Sequence, residues 1–164
     1  MVRFFICKRL YLNYMKKIFY TLILTMIAGV VTAQIKDPVS WTFEAKKKSA
    51  DTYDVVLTAT IQGKWHIYSQ KTGKGGPIPT KMTVKPNPLI SLVGTAKEIG
   101  KVEKIYDEIF QTDVLYLSNT AQYVQTVKLK GKVKTNVTGT IEYMVCDDAQ
   151  CLPPTKKSFD IKLQ

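Results

Sequence analysis

The sequence predicts an all-β sandwich, and three observations carry that reading. Apolar residues alternate with polar ones in a series of short runs, turn formers punctuate the runs at regular intervals, and no stretch after residue 33 holds a convincing helical period. Alternation with a period of two is what a strand shows when one of its faces is buried. About eight or nine such runs in a chain of this length make a sandwich rather than a lone sheet.

In order, 35–40 is a lead-in, and Val39, Trp41 and Phe43 alternate with polar neighbours as a first strand. Tyr53, Val55, Leu57, Ala59 and Ile61 form a second, Gly63 breaks it, and Trp65, Ile67 and Tyr68 resume as a short third. Residues 72–80 hold three glycines and two prolines, a composition that favours turns over regular structure. Short strands are expected over 81–85 and 89–93, separated by Pro86 and Pro88. The mixed pattern of 96–109 reads as an irregular excursion. Strands follow over 114–117, 123–129, 137–145 and 158–163, the last with Phe159, Ile161 and Leu163 inward. The immunoglobulin-like topology is the commonest sandwich at this length, and it is the expected one.

The first 33 residues are set apart. Met15-Lys16-Lys17 precedes an apolar run from Ile18 to Val31, and Val31 and Ala33 are small residues before Gln34. A basic start, an apolar segment and small residues at the cut make a secretory signal peptide, with cleavage expected after Ala33. The run falls short of the about 20 residues that a membrane span needs. Residues 1–14 stand ahead of an already complete signal, so Met15 is an alternative start. The expected organisation is a signal peptide over 1–33 and one exported domain over 34–164.

Five of the 24 basic residues lie in the first 33, leaving 19 against 13 acidic ones and a net charge of +6. The mature part has no arginine and its lysines are scattered, whereas nucleic-acid binders gather basic residues on one element. A solvated lysine-rich surface is the expectation, with no nucleic-acid partner.

With Cys7 in the signal, two cysteines remain, Cys146 and Cys151, separated by four residues. Val137, Gly139, Ile141, Tyr143 and Val145 share one face of the strand leading to them, and Pro153-Pro154 then prevents its continuation. Such a pair has three readings. A structural disulfide would pin the loop, although so small a loop removes little entropy from the unfolded chain. A metal site lacks ligands, since zinc usually takes four and His66 is the sole histidine. A redox pair would cycle by thiolate attack, yet Asp147 and Asp148 disfavour a thiolate beside them. The residues alone leave the structural and redox readings open.

Three motifs occur in order: Trp65-His66-Ile67-Tyr68-Ser69-Gln70, then Gly75-Gly76-Pro77-Ile78-Pro79-Thr80, then Tyr143 followed by Cys146-Asp147-Asp148, Cys151 and Pro153-Pro154. Together they resemble the N-terminal periplasmic domain of the DsbD family of thiol:disulfide interchange proteins, over essentially the whole mature chain. The resemblance implies an immunoglobulin-like sandwich whose cysteines accept electrons from a membrane-embedded conduit and pass them to thioredoxin-like periplasmic proteins. It implies no cofactor and no metal. Complete members carry the conduit on the same polypeptide, so a donor on a separate protein is expected here. The expected product is a soluble monomer.

By position, the resemblance implies that His66 and Tyr68 lie beside the cysteines, in a strand where the family usually has tyrosines. It puts Tyr106-Asp107-Glu108-Ile109-Phe110 in a cap loop over the disulfide, with Phe110 or Ile109 as the shield. Asp107 and Tyr143 complete the expected surroundings. Two rival readings keep the fold: a binding or assembly module with a permanent disulfide, and an exported carbohydrate- or adhesin-type sandwich with an aromatic face.

Overall fold

The computed structural model describes residues 14–20, 36–73 and 75–163. The chain divides into two units after Lys36. In the first unit, residues 14–20 form a short helix; the expected cleavage point after Ala33 lies outside the described residues. Among the described residues no helix is long and apolar enough to cross a membrane.

The second unit is an immunoglobulin-like β-sandwich. Its strands are β1 (Val39–Lys47), β2 (Thr52–Ile61), β3 (His66–Tyr68), β4 (Lys81–Val84), β5 (Ile90–Ile99) and β6 (Val102–Asp107), then β7 (Thr112–Ser118), β8 (Thr120–Leu129), β9 (Thr135–Tyr143), β10 (Val145–Cys146) and β11 (Thr155–Leu163). They pair antiparallel in three sheets, ordered β1-β2-β8-β5, β10-β3-β7-β6 and β11-β9-β4.

Period-two alternation decides what is inside. Val55, Leu57 and Ala59 of β2, Ala121, Tyr123 and Val127 of β8, and Val137 and Ile141 of β9 are fully buried in one core shared by the sheets. Burial of such side chains contributes about 1.5–3 kcal/mol each for the larger ones, and it holds the register, because a one-residue slip would turn every one of them outward. Gly139 is inward for a different reason. A Cβ there would collide with the Thr83 carbonyl and the Phe159 ring, which close over it from β4 and β11. Gly139→Ala should therefore overpack the third sheet and cost about 1–3 kcal/mol, read as a lowered denaturant midpoint with an unchanged slope.

Two expectations are corrected. Residues 96–109 are not an irregular excursion: β5 runs through Ile99 and β6 begins at Val102, so the chain crosses between the first two sheets at Gly100-Lys101. Both strands are sheet edges, and Ile99, Val102, Ile105 and Tyr106 remain exposed, so burial imposes no alternation there. The β5 register also shifts between Val93 and Lys97, where Gly94 takes a φ of 67°. Buried Gln125 steadies that bulge by donating from Nε2 to the carbonyls of Val93 and Gly94 at 3.3 and 3.4 Å. The second correction concerns 137–145, which is not one strand. The ladder stops at Met144, β9 stays in the third sheet, and β10 joins the second. That change of sheet delivers Cys146 to its site.

Candidate active site: a disulfide on the outer face of the second sheet

The second sheet has two unlike faces, sorted by the same alternation. Val145, Ile67 and Leu117 stand opposite one another in successive strands and belong to the main core. One residue along, Cys146 stands opposite His66, and His66 opposite Ser118; beyond them Tyr68 stands opposite Tyr116. These residues occupy the other face. There Tyr68, Val114 and Cys146 form a second, smaller buried cluster, with Phe110, Tyr116, Met144 and Cys151 packed partly buried against it.

Cys146 and Cys151 are joined by a disulfide, with Cα atoms 4.1 Å apart. The turn between them is built by Asp147. Its Oδ1 accepts from the amides of Ala149 and Gln150 at 3.0 and 2.9 Å, while its own amide donates to the Gln150 carbonyl at 2.9 Å. The Leu152 amide then donates to the Val145 carbonyl at 2.9 Å, which closes the hairpin behind the cysteines. An aspartate bonding amides two and three residues on is a local turn device. The Asp147 charge noted in the sequence thus has a structural use. Cys146 is 1% exposed, whereas Cys151, past the turn, is only partly buried.

The loop over the cluster uses the same device. Asp107 Oδ1 accepts from the amides of Ile109 and Phe110 at 2.9 and 3.1 Å, and its Oδ2 accepts from the Tyr68 hydroxyl at 2.8 Å. One carboxylate therefore shapes the loop and ties it to the floor of the site. Gln111 adopts a φ of 51°, turning the chain back into β7. Phe110 meets the Tyr68 ring edge-on at 6.1 Å, while Ile109 is half exposed to solvent. Phe110 is the loop side chain that packs against the cysteine cluster.

Beyond Tyr68 the chain is pinned from several sides. The Thr80 hydroxyl donates to the Tyr68 carbonyl at 2.6 Å, the Ser69 hydroxyl donates to Glu98 at 2.6 Å, and the Leu115 amide donates to the Thr72 hydroxyl at 3.1 Å. The Gly75–Thr80 motif thus ends on a residue that fixes Tyr68 in place.

The electrostatics are acidic. Burial pushes the Tyr68 phenol far above its ordinary range, and the Asp107 carboxylate that accepts its hydrogen bond adds to the effect; the phenol remains a donor through physiological pH. Burial lowers the His66 imidazole below its usual value, opposed in part by Asp107, Asp148 and Asp147. Among the described residues, no group of three or more His, Cys, Asp or Glu side chains is placed to hold a metal ion.

Of the residues expected near the disulfide, the structure brings together His66, Tyr68, Asp107 and Phe110, with Ile109 on the outer rim of a cleft of about 200 Å³. Tyr143 is corrected. It is buried in the main core, its ring 5.2 Å from Trp41, and does not join the cysteine cluster. It shares its face with Val145, which also belongs to the core, so its position in the motif reflects the strand. Val114, Tyr116 and Met144 join the cluster without having been singled out. Alternation along 112–118 offered a signal for the first two, but nothing in the sequence told which face of that strand would meet the cysteines.

A family model described as "Thiol:disulfide interchange protein DsbD, N-terminal" matches residues 33–163. No curated protein sequence matches the chain. Among solved structures, the N-terminal periplasmic domain of ScsB from Proteus mirabilis is similar with a TM-score of 0.57 and 15% identity, covering 80% of this chain and 49% of that one. The chain thus spans about half the length of that relative. The complex between the DsbD and PilB N-terminal domains from Neisseria meningitidis gives a TM-score of 0.50 and 16% identity, over 79% of this chain and 88% of that one. At these identities the likeness is one of fold.

Proposed function

The chain belongs to the family of N-terminal domains of the thiol:disulfide interchange protein DsbD, and from that premise we propose that Cys146 and Cys151 are its redox-active pair. They accept two electrons from a membrane-embedded conduit protein and pass them to thioredoxin-like proteins in the periplasm. Removal of residues 1–33 leaves the 34–164 domain as a soluble, monomeric carrier. No cofactor takes part; the net change is the exchange of one disulfide for another's two thiols. In this reading the chain acts as a protein-disulfide reductase component. That a DsbD N-terminal domain has been solved in complex with a PilB N-terminal domain supports a folded protein domain as the docking partner.

One observation carries the proposal: the disulfide lies outside the main core. The core is assembled from residues of all three sheets, so the fold does not need the bridge to hold it together. A disulfide placed on the far face of a sheet, with one of its cysteines only partly buried and a loop tied down beside it, suits regulated access better than stapling. Structural disulfides of exported proteins resist reduction, with potentials below about −300 mV, whereas exchange-active pairs are more oxidising. Equilibration of the purified protein against glutathione buffers should place this pair well above that limit. A potential below it would turn the assignment to a permanent disulfide in a binding module.

A further inference from the structure

His66 is the chain's sole histidine, and it stands directly opposite Cys146 in the β3–β10 pair. Directly opposed residues of an antiparallel pair project from the same face, with Cβ atoms about 4.5–5.5 Å apart. The imidazole is held from two sides: its centroid is 5.3 Å from the Tyr68 ring, perpendicular to it, and 4.7 Å from the Tyr116 ring. Its Nε2 is buried and has no hydrogen-bond partner among the described residues. A buried ring nitrogen without a partner costs stability. Leaving one beside a cysteine that must gain and lose a proton has a chemical use.

We propose that His66 exchanges a proton with Cys146 during thiol–disulfide exchange, a role that rests on the redox reading given above. The need arises at Cys146. Its sulfur is buried, and the turn that follows it carries Asp147 and Asp148, the second 4.0 Å from the Lys64 ammonium, so burial and the two carboxylates disfavour a thiolate there. The charged and titratable groups around His66 include Tyr68 on its own strand, Tyr116 on β7, Asp107 and Glu108 at the β6 loop, Asp147 and Asp148 after β10, and Lys64, which lies 4.0 Å from Asp148. Burial keeps the imidazole neutral near pH 7, a base able to take a proton. The surrounding carboxylates stabilise the imidazolium that results.

In the oxidative direction a partner's disulfide has already been opened by the Cys151 thiolate, which leaves a mixed disulfide and one free partner thiolate. The Cys146 sulfur then attacks the Cys151 sulfur as its proton passes to His66. The bond between Cys151 and the partner breaks, and the partner's second sulfur leaves with the electron pair and is protonated by solvent. The cysteine pair has lost two electrons and the partner has gained them. In the reductive direction an incoming thiolate bonds to Cys151, the Cys146–Cys151 bond breaks, and the imidazolium protonates the departing Cys146 sulfur.

Reduction by dithiothreitol, followed from about pH 5 to about pH 8, tests this. The rate constant expressed per dithiothreitol thiolate should fall roughly tenfold as the imidazolium is lost. His66→Gln should give a flat profile at the lower value. His66→Phe, which keeps a ring between Tyr68 and Tyr116 but carries no proton, should give the same flat profile, whereas a ring that served packing alone would leave the wild-type profile in place. Retention of the wild-type profile by both variants would overturn the role of His66 alone. A disulfide inert to dithiothreitol at every pH would overturn the redox reading and this role with it.

Discussion

Cys146→Ser should accumulate a stable mixed disulfide with a thioredoxin-like protein whose own resolving cysteine has been removed, and Cys151→Ser should trap less than about a tenth as much. Attack on a disulfide proceeds along the sulfur–sulfur axis, so the sulfur that can be approached is the one that bonds to the partner. Cys146 sits in the second sheet beneath the loop, 1% exposed, whereas Cys151 lies beyond the Asp147 turn and is partly accessible. A partner thiol therefore reaches Cys151, and Cys146 is the thiol that resolves the complex. Non-reducing electrophoresis with peptide mapping reads the result, since the adduct must map to Cys151. Equal trapping by the two variants would remove the assignment of roles.

The second large effect concerns the loop. Phe110→Ala should raise the rate of reduction by a small thiol several-fold to about tenfold, and Asp107→Ala should approach the same increase. The first removes the ring packed on the cysteine cluster; the second releases the Ile109 and Phe110 amides and the Tyr68 hydroxyl together. Ile109→Ala should change little, because that side chain is half exposed. Faster reduction could also follow from easier unfolding, so a core variant supplies the control. Phe159→Ala, from the buried main core, should cost about 3–5 kcal/mol without accelerating reduction in native conditions. If Phe110→Ala and Ile109→Ala behave alike, the loop does not gate the disulfide through Phe110.

Much of this protein was legible before any coordinates. Strands such as β2, β8 and β11 announce themselves because side-chain alternation is a local property of the chain, set by the two faces of a pleated strand. The glycine–proline stretch after Tyr68 and the double proline after Cys151 likewise act through their own backbone angles. The pairing of Cys146 with Cys151 needed only their closeness and the absence of other cysteines after residue 33. What alternation does not disclose is which of two faces meets which neighbour.

Three outcomes depended on that. Residues 137–145 read as one strand, because nothing local marks Met144 as the point where the chain leaves β9's sheet for β3's. The 96–109 stretch read as irregular, because edge strands are ordered by pairing with β8 and β7 rather than by burial of one face. Phe110 and Ile109 were equivalent in sequence until Asp107, bonded to Tyr68 across 39 residues, bent the loop so that one ring turned inward. Composition, period and spacing determined the sandwich, most of its strands and the pair of cysteines. Tertiary structure alone decided which cysteine is buried, which loop residue packs against its cluster and which side chain stands opposite it, since each depends on the register between strands distant in the chain, and only folding brings those together.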